Sequence, residues 1–226
     1  GLQSGVTFTS NIASFLLIII IPLITISEFF MPSIVYFIAP GFINDIERLE
    51  LAVPFARIVF PYLVFIIFTA LFASALNTYG KFWSGAAAPV ILNIFLIIAL
   101  IMSIYLEKDA GIIMCWSVLL AGIAQMLLLA WANFKNGLSF SIFLPKIDED
   151  LKIFFKKFIP GAIGSGITQI NLLVASIFAS QIPGAISWLY YSDRVAQLPL
   201  GIIGIAIGTA LLPNLAKRIS LGENKE

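Results

Sequence analysis

Asp, Glu, Lys and Arg are missing from six stretches of the chain, 1–27, 58–80, 82–106, 110–134, 158–192 and 195–216. Each is long enough for the roughly 20 residues with which a helix crosses a hydrocarbon core about 30 Å thick. The pattern predicts six transmembrane helices, at 9–36, 56–79, 84–106, 111–134, 158–181 and 186–214, the last two runs sharing a boundary. The fold class is therefore all-α, a polytopic helical membrane protein. Its longest spans must tilt, run on beyond the bilayer, or bend at Pro22 and Pro32 in the first and Pro199 in the last.

The polar connections orient the spans, because cytoplasmic loops retain Lys and Arg. After the second, fourth and sixth helices come Lys81, then Lys135, Lys146, Lys152, Lys156 and Lys157, then Lys217, Arg218 and Lys225. The other side holds Arg48, Arg57 and Lys108. Both ends then face the cytoplasm, and the short loops around Asp45 and Asp109 face outward. The chain divides into 1–134 with four spans, a cytoplasmic amphipathic loop at 135–157, and 158–226 with two more spans and a cytoplasmic tail. The loop carries the acidic cluster Asp148-Glu149-Asp150 ahead of a basic stretch. It reads either as a segment lying on the membrane surface, lysines near anionic head groups, or as a solvated linker.

Composition agrees with lipid as the main solvent. The 226 residues are 60% hydrophobic and only 11% charged, against about 25% charged in ordinary soluble domains, and the mean hydropathy is +1.04. A net charge of +1 gives no basic surface for nucleic acid. The chain has no histidine and one cysteine, Cys115, which excludes a Ser-His dyad, a histidine metal site and an internal disulfide. No Gly-rich loop precedes a Lys-Ser/Thr pair, so neither an enzyme nor a cofactor is expected. The chain opens Gly1-Leu2-Gln3 without an initiator methionine or a signal-peptide pattern, and reads as a fragment of something longer.

The candidate chemistry lies in the last two spans. Asp193-Arg194 interrupts the sixth, and an ionisable residue at depth costs on the order of 2.5–3.5 kcal/mol unless it faces protein or a wet cavity. Adjacent helical residues point about 100° apart, so the pair does not neutralise itself. Arg194 instead shares a stripe with Tyr190, Gln197 and Gly201. Pro199 frees a carbonyl one turn back and bends the helix. On the fifth span, Gly161, Ser165, Thr168, Gln169, Ser176 and Ser180 share one face. That face is a cavity wall or a set of interhelical hydrogen bonds. The small pairs Gly161/Ser165, Ala162/Gly166 and Gly204/Gly208 read as packing seams. Glu28 in the first span either snorkels or pairs with an unseen partner, and Asn77 is placed to cap the turn LNTYGKF.

Several strings carry a resemblance: APGF (39–42), FPYLVF (60–65), ALNTYGKFWSGAAAPVILN (75–93), IPGAIGSGITQINLLVASIFAS (159–180) and SWLYYSDRVAQLPLGIIGIAIGTALLPNLAK (187–217). Collinear over nearly the whole chain, they closely resemble the MurJ (MviN) lipid II flippases of the bacterial inner membrane. The resemblance implies the multidrug/oligosaccharidyl-lipid/polysaccharide exporter fold, of which this chain is similar to the third to eighth transmembrane helices. It implies as substrate lipid II, the undecaprenyl-pyrophosphate-linked peptidoglycan precursor, or a related polyprenyl-pyrophosphate lipid, moved between leaflets by alternating access. Arg194 matches the arginine of the family's YYADR-like motif, and a guanidinium suits phosphate oxygens. The other cavity arginines, the cation-coupling helices and the groove for the lipid tail belong to parts of the family this chain lacks. Gln197 replaces an acidic residue of some relatives. A substrate site of Tyr190, Asp193, Arg194, Gln197, Ser165 and Gln169 follows, with membrane lipids and the missing helices as the remaining partners. A multidrug or polysaccharide exporter, or a non-transporting membrane scaffold, is the alternative.

Overall fold

A computed structural model describes residues 2–199, whose regular structure is helical with no strand among them. The elements are α1 (Leu2–Phe29), α2 (Met31–Ile38), a 3-10 turn (Pro40–Asn44), α3 (Ile46–Val59), α4 (Tyr62–Thr78), α5 (Trp83–Leu106), α6 (Ala110–Lys135), α7 (Glu149–Ala179) and α8 (Ala185–Pro199). Five stretches are long and apolar enough to cross a membrane: Ser4–Phe29, Ile46–Thr78, Trp83–Leu106, Ala110–Lys135 and Glu149–Ala179. The chain is a multi-pass helical membrane protein. Of the sixth predicted span only α8 falls within the described residues; Gly201, Gly204 and Gly208 lie outside them.

Three boundaries differ from the sequence reading, each for a local reason. The first span is broken at Phe30 and resumes as α2, with Pro32 in its first turn, where a missing N–H costs least. The second span begins ten residues before the predicted position 56, because the charged segment ahead of it is itself helical. Asp45 caps α3 by accepting from the Arg48 amide at 3.2 Å, and Glu47 sits in the first turn, where the helix dipole favours an anion. The fifth span begins at Glu149 rather than 158. Asp148 accepts from the Leu151 amide at 2.9 Å, with Glu149 and Asp150 in the first turn. The acidic cluster of the expected loop is thus a helix start.

The tightest packing gathers α3, α4 and α5 around α6. The buried face of α6 is Ser117, Ala121, Gly122, Gln125, Leu129, Ala132 and Asn133, which recur every three or four residues as a helix seam requires. Small side chains there admit large neighbours: a Cβ on Gly122 would come within 2.5 Å of the Tyr62 ring. Leu76, Ala88, Leu129, Ala132 and Leu138 form the core at one end of this group.

That end is closed by two turns of one design. Gly80 and Gly137 have φ of +72° and +77°. Lys81 N donates to Leu76 O and Gly80 N to Asn77 O; Leu138 N donates to Asn133 O and Gly137 N to Phe134 O. These are Schellman caps. The turn expected to be capped by Asn77 is closed by backbone and glycine. The Lys81 ammonium donates to Asn136 Oδ1, tying the two turns together.

Candidate functional site

On α8 the described part of the predicted stripe, Tyr190, Arg194 and Gln197, is joined by side-chain contacts. The Arg194 guanidinium lies over the Tyr190 ring, 5.0 Å from its centroid, an arrangement in which the ring face attracts the cation. Arg194 Nη1 reaches Gln197 Oε1 at 3.5 Å, and Gln197 Nε2 donates to Asp193 Oδ2 at 2.5 Å. Gln197 therefore stands between the two charges, one turn beyond Asp193 and two beyond Tyr190. Arg194 and Asp193 form no ion pair, and among the described residues no carboxylate pairs with Arg194. Tyr190, Arg194 and Gln197 are exposed, so the guanidinium is pre-oriented with donors to spare.

The α7 half is arranged differently. Ser165 Oγ donates to the Gly161 and Ala162 carbonyls of its own helix at 3.0 and 3.2 Å, and Ser176 Oγ to Leu172 O at 2.8 Å. Lys157, Gly161, Ser165 and Gln169 border a shallow cleft of about 540 Å³. A Cβ on Gly161, Gly164 or Gly166 would meet nothing within 4 Å. The packing seam expected here therefore has no partner among the described residues, and Leu151 is the sole buried residue of α7 among them. No hydrogen bond, ion pair or ring contact joins Ser165 or Gln169 to the α8 cluster among the described residues. Ser180, counted on the same face, is structural: it is buried, accepts from the Gly41 amide at 3.0 Å and donates to Ile177 O at 2.7 Å.

Three polar groups went unweighed in the sequence. Gln125, buried in α6, donates to Ala88 O at 2.7 Å and accepts from Tyr62 Oη at 3.3 Å. Asn133, also buried, donates to Phe72 O at 3.1 Å and Leu129 O at 2.7 Å. Both belong to the small-residue stripe of α6, and that period is the signal that finds them. The third is Ser10, Asn11 and Ser14, buried on α1. They bond the backbone of the segment after α6, whose irregular conformation left no periodicity to read. Glu28 keeps a buried carboxylate oxygen without a hydrogen-bond partner among the described residues.

Comparison with known proteins follows the same lines. A family model described as lipid II flippase MurJ matches residues 3–226. A probable lipid II flippase MurJ of Rhizobium tropici is 36% identical over 230 residues, covering 100% of this chain and 43% of the relative. That of Rhizobium meliloti is 38% identical over 231 residues, with the same coverage. The lipid II flippase MurJ of Burkholderia cenocepacia is 33% identical over 189 residues, 81% of this chain and 37% of the relative. The chain thus spans less than half the length of the curated relatives it matches.

Proposed function

The chain belongs to the lipid II flippase MurJ family, and from that premise we propose that it is the central portion of a flippase that carries lipid II from the inner to the outer leaflet of the bacterial inner membrane. In this reading α7 and α8 line part of a cavity that opens to each side in turn. Segments of the full-length protein outside this chain complete it. Arg194 is the anion ligand: its fork takes pyrophosphate oxygens, Tyr190 supports it from one face, and Gln197 sets its angle. Ser165 and Gln169 offer hydroxyl and amide groups to the sugar. No step of this cycle requires bond chemistry from the protein, in keeping with a family of flippases rather than catalysts.

The observation that carries the reading is an arginine with no counter-ion among the described residues, held out by a ring and an amide, on a helix that the sequence expects to lie in the bilayer. A charge at such depth is costly unless something meets it, and an anionic substrate head group is the partner whose geometry fits a guanidinium. The test is made in the full-length protein. Arg194→Ala abolishes complementation of a flippase-depleted strain and lipid II binding while membrane abundance stays normal. Arg194→Lys keeps the charge but loses the bidentate fork, and recovers only part of the binding. Normal complementation by Arg194→Ala, or loss of activity only in proportion to loss of protein, overturns the assignment.

A further inference from the structure

Residues 138–147 join α6 to α7 without regular structure, yet they are fixed along α1. The Ser141 amide donates to Ser10 Oγ and the Phe143 amide to Ser14 Oγ, both at 3.1 Å. The Lys146 amide donates to Asn11 Oδ1 at 2.8 Å, and Asn11 Nδ2 returns a bond to Lys146 O at 2.7 Å. Three side chains of one helix thus take the place of a neighbouring strand. Phe140 stacks on Phe72, centroids 5.3 Å apart and rings 5° from parallel, and Leu138 is buried in the core. One edge of the segment is satisfied by protein. The alternate amides of Ile142 and Leu144 on the other edge find no protein acceptor among the described residues.

The depth of this segment is set by what it is tied to. Ser10, Asn11 and Ser14 lie where α1 changes from the mixed LQSGVTFTSN to the apolar IASFLLIIII. At the same end of the bundle stand exposed Tyr79, Trp83 and Trp131, the residue types that gather at head-group level. Here too Lys135 lies over the Trp131 ring, 5.1 Å from its centroid. A Cβ on Gly5 would touch the Tyr79 hydroxyl at 3.4 Å, which brings the start of α1 to that level. Unpaired backbone is excluded from hydrocarbon but tolerated where head groups and their water reach it. Side chains pointing from such a level should be polar if they face water. Ile142, Leu144 and Ile147 are instead 74, 85 and 73% exposed.

We infer that 139–147 is an interfacial anchor: Ile142, Leu144 and Ile147 insert into the boundary between head groups and acyl chains of one leaflet, while Ser10, Asn11 and Ser14 hold the backbone at that depth. The occupant of this apolar surface is lipid. Apolar side chains lying in the plane of the interface bind by the area they bury there, and the lysines that follow, Lys152, Lys156 and Lys157, stand ready for anionic head groups. The anchor is independent of whether Arg194 binds substrate.

Fluorescence quenching tests it on the whole chain reconstituted in vesicles of phosphatidylethanolamine and phosphatidylglycerol. A bimane label is placed at Leu144→Cys or Ile147→Cys in a Cys115→Ser background. Lipids carrying a nitroxide just below the head group quench both labels several-fold more than aqueous iodide does. Asn11→Ala and the Ser10→Ala/Ser14→Ala pair shift quenching toward iodide. Circular dichroism confirms that helix content is kept; if those variants lose it, the labels on the unaltered α1 still decide. Strong iodide quenching without lipid quenching means a water-exposed linker and overturns the anchor. Quenching by neither means that protein covers the surface, and overturns it equally.

Discussion

Gln125 joins three helices from inside the described core. Its amide donates to one neighbouring helix at Ala88 and accepts from another at Tyr62. Interhelical hydrogen bonds in membranes average well under 2 kcal/mol, because the unfolded chain in lipid also finds partners. Gln125→Ala removes two such bonds and leaves a buried cavity, so its expected cost is about 2 kcal/mol. Tyr62→Phe removes only the 3.3 Å bond and should cost less than about 1 kcal/mol. Reversible unfolding in mixed micelles measures both, and a double-mutant cycle isolates the Tyr62 bond. Arg194 was legible as an anomaly because a charge in an apolar run stands out. Gln125 and Asn133 were not, because an uncharged polar residue among leucines is recognised only when the stripe it shares with Ser117 and Ala121 is read as a contact.

Glycine acts in two different ways at the level of whole elements. Gly41 sits where α2 turns toward α3, against the end of α7. A Cβ there would fall 2.1 Å from the Ser180 carbonyl oxygen, and backbone cannot step aside as a side chain can. Gly41→Ala should therefore destabilise by about 3 kcal/mol or more and part this corner from α7, which accelerated proteolysis of the 180–184 turn would report. Gly80 and Gly137 have empty space where a Cβ would go. Their replacement costs only the left-handed backbone, about 1–2 kcal/mol each, without loss of any contact. Thermal denaturation of the three alanine variants should give that order, with Gly41→Ala lowest. The spans were legible as hydrophobic runs, but their ends were not. Charges at 45–50 and 148–150 looked like loop and proved to be helix starts, since Asp and Glu serve both settings equally well. The linker at 138–147 had no period to read, because α1 supplies its partners from more than a hundred residues away.

For the whole molecule, the expected sidedness rests on nine basic residues in the sequence after the second, fourth and sixth predicted spans against three in the other connections. Glu149 and Lys108 lie at opposite ends of the spans and are exposed. Glu149→Cys and Lys108→Cys, each in a Cys115→Ser background, should react with an impermeant maleimide from opposite sides in intact cells, Lys108→Cys from outside. Labelling of both from the same side sinks this topology. The fold class and the family could be reached from sequence because lipid imposes length and composition on every span, and because SWLYYSDRVAQLP is a long, specific string. How α7 meets its neighbours could not be reached: its open glycines and serines have no counterpart among residues 2–199.

The bonds between α1 and the linker also impose an order on assembly. Asn11 must find Lys146, 135 residues later in the chain, and at about 5–20 residues per second of synthesis that separation takes roughly 7–27 s. Over that interval the oxygens of Ser10, Asn11 and Ser14 wait for the linker amides, while α3 to α6, all made before the linker, are free to assemble. α1, made before the other described helices, is thus among the last of them to be locked. A chain stalled before Lys146 should hold α3 to α6 assembled and α1 loose, so that α1 alone is open to proteolysis.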